Sequence, residues 1–360
     1  MRNAPRIAPA TFPKLDLPLP IPFPPMESKR SEAIPTGEGW QFEPKWDGFR
    51  AIAFRAGNDV VIQSKAGQPL TRYFPEVVEE LRTLKLGRFV LDGEIVVPVR
   101  GRLSFDDLLL RIHPAESRVR KLAEESPAYY FVFDLLARRS ESLVDRPLEK
   151  RRAALEDFFS RAVPEESRVQ LSPATTDRKL AARWFKDLGA AGLDGVMAKR
   201  LADPYHSGER DGMVKVKHFK TADCVVGGFR YASGSRDVGS LLLGLYDDEG
   251  NLVFIGHTSS FNQADRKKLK SIVEPLRGEN SFSVRVPGGP SRWSNERTGE
   301  WEPLEPTLVC EVQYDYFSQG RFRHGSKFMR WRPEKKPESC TMEQVDPGQQ
   351  EGSLTTLGML

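Results

Sequence analysis

The chain has 360 residues, with 54 Lys+Arg against 50 Asp+Glu, 39 % hydrophobic residues and 29 % charged ones. A single core stops growing near ~250–300 residues, so this length implies two domains, and the composition excludes a disordered, collagen-like or membrane-spanning chain. The net charge of +4 is small for the length, so no overall positive field marks a nucleic-acid binder.

Eight of the first 25 residues are proline, which predicts an extended, polyproline-II-like arm rather than a packed element. Phe42–Ala56 reads as strand-rich with Asp47-Gly48 inside it, and Asp59–Ser64 is a short β-branched run. Pro75–Leu84 carries Val77, Val78, Leu81 and Leu84 at helical spacing. Phe89–Val99 is an apolar strand broken by Asp92-Gly93-Glu94, and Tyr129–Leu136 is a buried strand. Helices are expected over Pro147–Phe159 and Asp177–Leu188, the second capped by Gly189. This mixture lacks a regular βαβ alternation, which favours α+β over a doubly wound sheet.

From about Ala222 the texture changes. Val225–Tyr231, Ser240–Asp247, Leu252–His257, Ser281–Val286 and Thr307–Tyr316 are short strands, with one helix at Gln263–Pro275. Five strands and a helix predict a small β-barrel of the OB type. The expected division is therefore an arm over 1–25, a first domain over 26–221, a barrel over 222–342 and a fraying tail over 343–360. Cys224, Cys310 and Cys340 are few, odd in number and far apart, and the five His show no ligand spacing. Neither a zinc site nor a disulfide framework is expected, and reduced thiols suit a cytosolic protein. The start of the chain has no signal-peptide core, and the longest apolar run is too short for a bilayer.

Four clusters carry chemistry. In Glu43-Pro-Lys45-Trp46-Asp47-Gly48-Phe-Arg50 a lysine sits in an apolar context beside charged groups. A lysine nucleophile must lose a proton from an amine of pKa ~10.4, and lowering that by three units takes ~4 kcal/mol from neighbouring cations and burial. The same residues also suit an ordinary strand turn with a surface Lys–Asp pair. Asp92-Gly93-Glu94 suits Mg²⁺ or ribose hydroxyls, or else a plain turn. Phe133 can stack on a base or pack in the core. Asp194-Gly195 leads to Lys199, and alternation puts Lys215 and Lys217 on one strand face, confronting either phosphate or water. Arg321–Lys336 holds seven Lys or Arg against one acid, with three aromatics interleaved, a pattern suited to nucleic-acid backbone or triphosphate, although a plain basic tail also fits.

The order of these clusters is more specific than any one of them. Lys45-x-Asp47-Gly48-x-Arg50, Ser64-Lys65-Ala-Gly67, Asp92-Gly93-Glu94, Phe133-Asp134, Asp194-Gly195 with Lys199, and Lys215-x-Lys217 precede an OB-like region. The series resembles the covalent nucleotidyltransferases, and within them the ATP-dependent DNA ligases. The stretch from Thr221 to Phe229 and Arg330-Trp-Arg332-Pro-Glu-Lys335 resemble the compact bacterial ligases related to the ligase part of end-joining enzymes. The likeness covers about Pro25–Val345.

The resemblance implies an adenylation domain followed by an OB fold, with ATP and Mg²⁺, or Mn²⁺ in its place, as cofactors. Lys45 would attack the α-phosphorus of ATP. Glu43 and its neighbours, Trp46 among them, would line the adenine pocket with Phe133 on the ring, Arg50 and Glu94 would contact the ribose, Lys65 would lie near the phosphates, and Lys199 would also bind the nucleotide. Asp47, Glu94 and Asp194 would be the metal-side acids, and Lys215 and Lys217 would neutralise the α-phosphate. Arg332 and Lys335 would orient pyrophosphate as the second domain swings between steps. Arg321, Arg323, Lys327 and Arg330 would bind DNA. The family has Arg at Lys65, Glu at Asp194 and Asp at Glu334. The implied partner is nicked double-stranded DNA, sealed in repair and recombination by a cytoplasmic, nucleoid-associated monomer helped by repair proteins. Rival readings are an RNA ligase, a GTP-using capping guanylyltransferase, and a non-catalytic OB protein that binds DNA.

Overall fold

The structure, a computed structural model, describes residues 12–279, 281–287 and 300–345. They divide into two compact units, one up to His218 and the other from Phe219 onward.

The first unit begins with β1 (Lys29–Ser31), β2 (Trp40–Lys45), β3 (Phe49–Ala56), β4 (Asp59–Ser64), α1 (Pro75–Thr83) and β5 (Arg88–Val96). It continues through α2 (Phe105–Leu110), α3 (Glu116–Glu125), β6 (Tyr129–Arg138), α4 (Leu148–Ala162), β7 (Val169–Leu171), α5 (Arg178–Asp187), β8 (Gly195–Arg200) and β9 (Met213–Lys217). One sheet runs β1-β9-β8-β2 and the other β7-β6-β5-β3-β4. Pairing is antiparallel except for β1 with β9 and β7 with β6, so the unit is α+β.

The larger sheet is buried on both faces. Ala51, Ala53, Val60, Ile62, Phe89 and Leu91 turn to the side packed by α1 and α4. Their neighbours Ile52, Phe54, Val61 and Val90 turn to the other. A strand buried on both sides reads as a continuous apolar run, which is why the segments stood out in the sequence. The second face also corrects the expectation of an unpacked arm. Leu19, Phe23 and Met26 cover it, each less than 10 % exposed, and the Gln63 side chain pairs with the Phe23 backbone at 2.8 and 2.7 Å. The prolines keep that segment extended, but six large apolar residues among them give it a face to bury. Residues 1–11 lie outside the described residues.

Three further expectations change. β5 runs unbroken through Asp92-Gly93-Glu94, with Asp92 buried against partners and Glu94 half-buried at the cleft rather than forming a turn. Gly189 lies within a 3-10 turn that continues α5 instead of capping it. Helices α2 and α3 had no counterpart in the sequence reading.

The second unit holds β10 (Lys220–Tyr231), β11 (Val238–Tyr246), β12 (Leu252–Thr258), α6 (Gln263–Val273), β13 (Val309–Tyr314) and β14 (Lys327–Trp331). The sheet order is β12-β11-β10-β13-β14. A bridge between Thr258 and Ser326 joins its two edges, where the Ser326 amide donates to His257 O at 3.1 Å. This ring, with α6 between its third and fourth strands, is the OB arrangement. The five-strand count stands, but its membership differs. Ser281–Val286 forms no strand; Phe282 instead plugs the core against Gly227 and Gly244, where a Cβ would lie 2.7 and 2.9 Å from its ring. The fifth strand is β14, whose basic residues had been assigned to ligand contact alone. Of the expected tail, Glu343–Val345 packs, with Val345 in the core and the Gln344 side chain bonded to Asp223; residues 346–360 lie outside the described residues.

Candidate active site

Register builds the site. Across β2, β8 and β9, Glu43, Met197 and Lys215 form one row and Lys45, Gly195 and Lys217 the next. Gly195 is obligatory between the two lysines: its φ is +142° and a Cβ would fall 2.0 Å from Val216 O. Asp194 precedes it, tied by its amide to Lys45 O at 3.0 Å. Both ammonium groups converge on Asp194 Oδ2, Lys45 Nζ at 2.7 Å and Lys217 Nζ at 3.1 Å. Burial opposes charge on this carboxyl, but the two lysines outweigh it and hold its pKa below the usual range.

A cleft with about 540 Å³ of open space is lined by Glu43, Lys45, Trp46, Arg50, Glu94, Phe133, Lys199 and Lys215. Ser28, Pro44, Met197 and Met213 complete the lining. The buried Glu43 accepts from Lys199 Nζ and Gln41 Nε2, each at 2.7 Å. Lys199 Nζ lies 4.3 Å and the Arg50 guanidinium carbon 4.5 Å from the Phe133 ring centroid, both within cation–π range. The Trp46 indole stacks on Phe131 at 3.8 Å and donates to Ser172 Oγ at 2.9 Å, so the ring belongs to the core behind the cleft.

Arg50 stands opposite Glu94 across β3 and β5 and reaches Asp92 with a two-pronged contact at 2.6 and 2.5 Å. Burial works against the guanidinium charge, but Asp92 more than restores it and raises the pKa. Tyr205 donates its hydroxyl to Asp92 at 2.6 Å and accepts the Met26 amide at 2.9 Å. Glu94 is pushed up to about 7, chiefly by burial, which Arg50 and Lys45 only partly offset while Asp47 and Asp92 add to it. Asp47 is buried nearby.

Not every candidate gathers here. Lys65 pairs with Glu27 at 3.1 Å and is not a lining residue of the cleft. Among the described residues Asp47, Glu94 and Asp194 do not form a ready-made three-carboxylate metal cluster. In the second unit Arg332 contacts Asp223 at 2.8 Å and Glu334 at 2.6 Å, and Lys335 contacts Asp223 at 3.3 Å. Arg330 pairs with Glu311 at 2.7 Å, Arg323 lies 5.6 Å from the Tyr316 ring, and Arg321 and Lys327 are exposed. The sequence reading missed Ser28, Met197, Met213 and Tyr205. Period-2 alternation from Lys199 and Lys215 would have found both methionines; Ser28 and Tyr205 carry no local signal. No helix among the described residues is long and apolar enough to cross a membrane.

Two family models match: the ATP dependent DNA ligase domain over residues 25–217 and the ATP dependent DNA ligase C terminal region over 234–335. DNA ligase C1 of Mycolicibacterium smegmatis is 45 % identical over 92 % of this chain and 96 % of its own length. The multifunctional non-homologous end joining protein LigD of Pseudomonas aeruginosa is 32 % identical over 87 % of this chain but only 36 % of that protein. A solved Lig E DNA ligase shares the fold, with a TM-score of 0.57 and 16 % identity over 86 % of this chain and 99 % of that one.

Proposed function

This chain belongs to the ATP-dependent DNA ligase family, and on that premise we propose that it seals 3′-hydroxyl/5′-phosphate nicks through a lysyl-AMP intermediate on Lys45. One observation carries the assignment of the nucleophile. Lys45 lines the cleft beside Glu43, Glu94, Phe133 and Lys199, with its amine held by Asp194.

Lys45 Nζ gives up its ammonium proton and attacks the α-phosphorus; the N–P bond forms as the bond to the bridging oxygen breaks, pyrophosphate leaving with that electron pair and the nitrogen shedding a further proton to solvent. Asp194 orients the amine, and Lys215 and Lys217 offset the charge that spreads over the phosphoryl oxygens. Glu43 and Lys199 bound the adenine with Phe133 against its face, while Arg50 and Glu94 meet the ribose and Trp46 fixes the wall behind. The DNA 5′-phosphate then takes AMP from the lysine, and the 3′-hydroxyl displaces AMP. Arg332 and Lys335 serve pyrophosphate, and Arg321, Arg323, Lys327 and Arg330 serve the DNA backbone.

The donors suit a divalent ion held partly by phosphate. The half-buried Glu94 carboxylate lines the cleft beside Lys45, and Mg²⁺ favours one or two carboxylates plus substrate phosphates. Glu94 and Asp47, with Asp194 contributing from its pairing with Lys45 and Lys217, would hold Mg²⁺ or Mn²⁺, which would supply charge neutralisation at the triphosphate. We place the enzyme in the cytoplasm as a monomer on nicked DNA, with repair proteins as partners.

The test is incubation with ATP or GTP labelled at the α-phosphate, denaturation, and then chase with nicked DNA. Label should survive denaturation with ATP alone, vanish in Lys45→Ala, and discharge on sealing. Absence of covalent label, or label from GTP, overturns the assignment.

A further inference from the structure

Gln41 has no role in the scheme above, and its surroundings point to one. It lies on β2 two residues before Glu43 and four before Lys45, so alternation turns all three side chains to the same face. Phe42, between them, packs in a core cluster on the other. Gln41 is 4 % exposed and does not line the cleft; Glu43, 1 % exposed, does. Packing alone would be served by an apolar residue at such a position, because a buried amide costs stability unless it is matched to partners.

The two oxygens of Glu43 are held separately. Gln41 Nε2 donates to Oε1 and Lys199 Nζ to Oε2, each at 2.7 Å. Lys199 is the cross-strand neighbour of Gln41, yet its ammonium leans one pair along to reach Glu43, where it sits 4.3 Å from the Phe133 ring centroid. The Gln41 amide must turn its NH₂ toward Glu43, because its oxygen would there face another acceptor. Both contacts are therefore donors. They fix the rotation of the carboxylate and keep it an acceptor, with the second lone pair of each oxygen as all that it offers a ligand.

We propose that Gln41 is a positioning residue for base selection. By holding the Glu43 carboxylate as a pure acceptor, it makes the site take a purine with an amino group at position 6 and reject one with an oxo group. The proposal rests on the ligase reading, in which the adenine of ATP meets Glu43, and deepens it by naming a residue behind the pocket wall. An adenine amino group gives a proton to a free lone pair of the carboxylate. A 6-oxo purine sets oxygen against oxygen, and discrimination of this polar kind exceeds what shape alone provides.

The experiment measures Lys45 labelling of the full chain with three triphosphates that differ only at position 6 of the base. These are ATP, ITP with its oxo group, and purine riboside triphosphate with hydrogen. Efficiencies are compared as ratios within one preparation, so the folded fraction cancels. The wild type should prefer ATP over the 6-hydrogen analogue roughly ten- to hundredfold, the range of one hydrogen bond to a charged group. Gln41→Met, which nearly keeps the volume and removes the donor, should shrink that preference about three- to tenfold. Gln41→Glu should raise the use of ITP relative to ATP about tenfold, because adjacent carboxyls share a proton and one of them then donates to the oxo group. If Gln41→Met leaves the ATP preference unchanged or raises it, the role is refuted. Should that variant not fold, unchanged ITP use in Gln41→Glu refutes it instead, and failure of both to fold assigns the amide to packing and equally overturns it. Equal labelling of the wild type by ATP and the 6-hydrogen analogue would also refute it, since the base edge is then not read. Absence of Lys45-dependent label from ATP in the wild type would refute the ligase chemistry itself, which is a distinct result.

Discussion

Asp92 is the residue on which the proposed nucleotide site leans most heavily. Its side chain is fully buried, it accepts both prongs of Arg50 at 2.6 and 2.5 Å, and it accepts the Tyr205 hydroxyl at 2.6 Å. Asp92→Asn keeps the volume but removes the charge, leaving Arg50 as a buried cation with Glu94 as its nearest compensation. Breaking one side of a buried ion pair costs ~3–5 kcal/mol. For a unit of this size ~1 kcal/mol moves the midpoint by about 2–4 °C, so the first unit should lose roughly 6–20 °C. Because the two units need not melt together, calorimetry that resolves separate transitions is the appropriate measurement. The double variant Asp92→Asn/Glu94→Gln should lose more than the sum of the singles, since Glu94 is then unavailable to Arg50. Initial labelling of Lys45 should also need more ATP, as Arg50 loses its alignment. A midpoint shift below about 2 °C, outside the range just worked from the ion-pair cost, would refute the reasoning.

Phe133→Ala should raise the KM for ATP in the labelling reaction roughly 5- to 150-fold, the range of one lost base–aromatic stack of ~1–3 kcal/mol; a change under twofold would remove Phe133 from the adenine site. Gly48→Ala places a Cβ 2.2 Å from Ile95 O in the turn between Lys45 and Arg50. It should cost ~1–3 kcal/mol or more in stability together with most labelling, and an unchanged midpoint would show that the turn relaxes freely. His257, beside the bridge that closes the barrel, is held below its ordinary pKa by burial and then by Arg230. The unfolded chain therefore takes up a proton from about pH 6.5 downward that the folded barrel resists, so second-unit stability is present above that pH and falls below it. His257→Gln should flatten this dependence between pH 7.5 and 5.5, and a parallel fall in both proteins would assign the acid sensitivity elsewhere.

How much of this was legible depended on whether a residue's partner is local. The strands of the larger sheet were readable because both faces are buried and the apolar runs are continuous. Lys45, Glu43, Arg50, Glu94 and Lys215 were readable as an ordered set, and the structure brings them into one cleft. Asp92 was read as part of a strand break suited to Mg²⁺ or ribose hydroxyls, or else a plain Asp-Gly turn; its partners are Arg50, 42 residues away, and Tyr205, 113 away. Tyr205 in turn meets Met26 across 179 residues, which no periodicity reports. The arm misled for a related reason. Proline density describes backbone conformation correctly but says nothing about Leu19 and Phe23, whose burial depends on a sheet face formed elsewhere. In the barrel, β14 was taken for a ligand-binding patch because strand and basic surface are one segment: Phe328 and Trp331 pack on the core while Lys327 and Arg330 stay exposed.

The same distinction bears on the charge of the chain. A net +4 results from 54 cations and 50 acids, and the cleft repeats that balance on a small scale. Lys45 and Lys217 share Asp194, Lys199 is held by Glu43, Arg50 by Asp92, and Lys65 by Glu27. An arriving triphosphate therefore meets few bare ammonium groups; it exchanges one anion for another at sites where cations are already positioned. Pre-paired cations are pre-oriented, which lowers the ordering cost of binding, but each carboxylate displaced subtracts from the gain. Affinity for phosphate should then be moderate and its geometric selectivity high, because only a ligand whose oxygens coincide with the carboxylate positions recovers what it displaces. Lys215 is the exception that gives the cleft its polarity. It makes no ion pair among the described residues, it is half-buried among other cations, and it stands in the row of Glu43 and Met197, one residue pair from Lys45. The point of least compensated positive charge thus lies beside Lys45, where the proposed attack would bring the α-phosphate to rest.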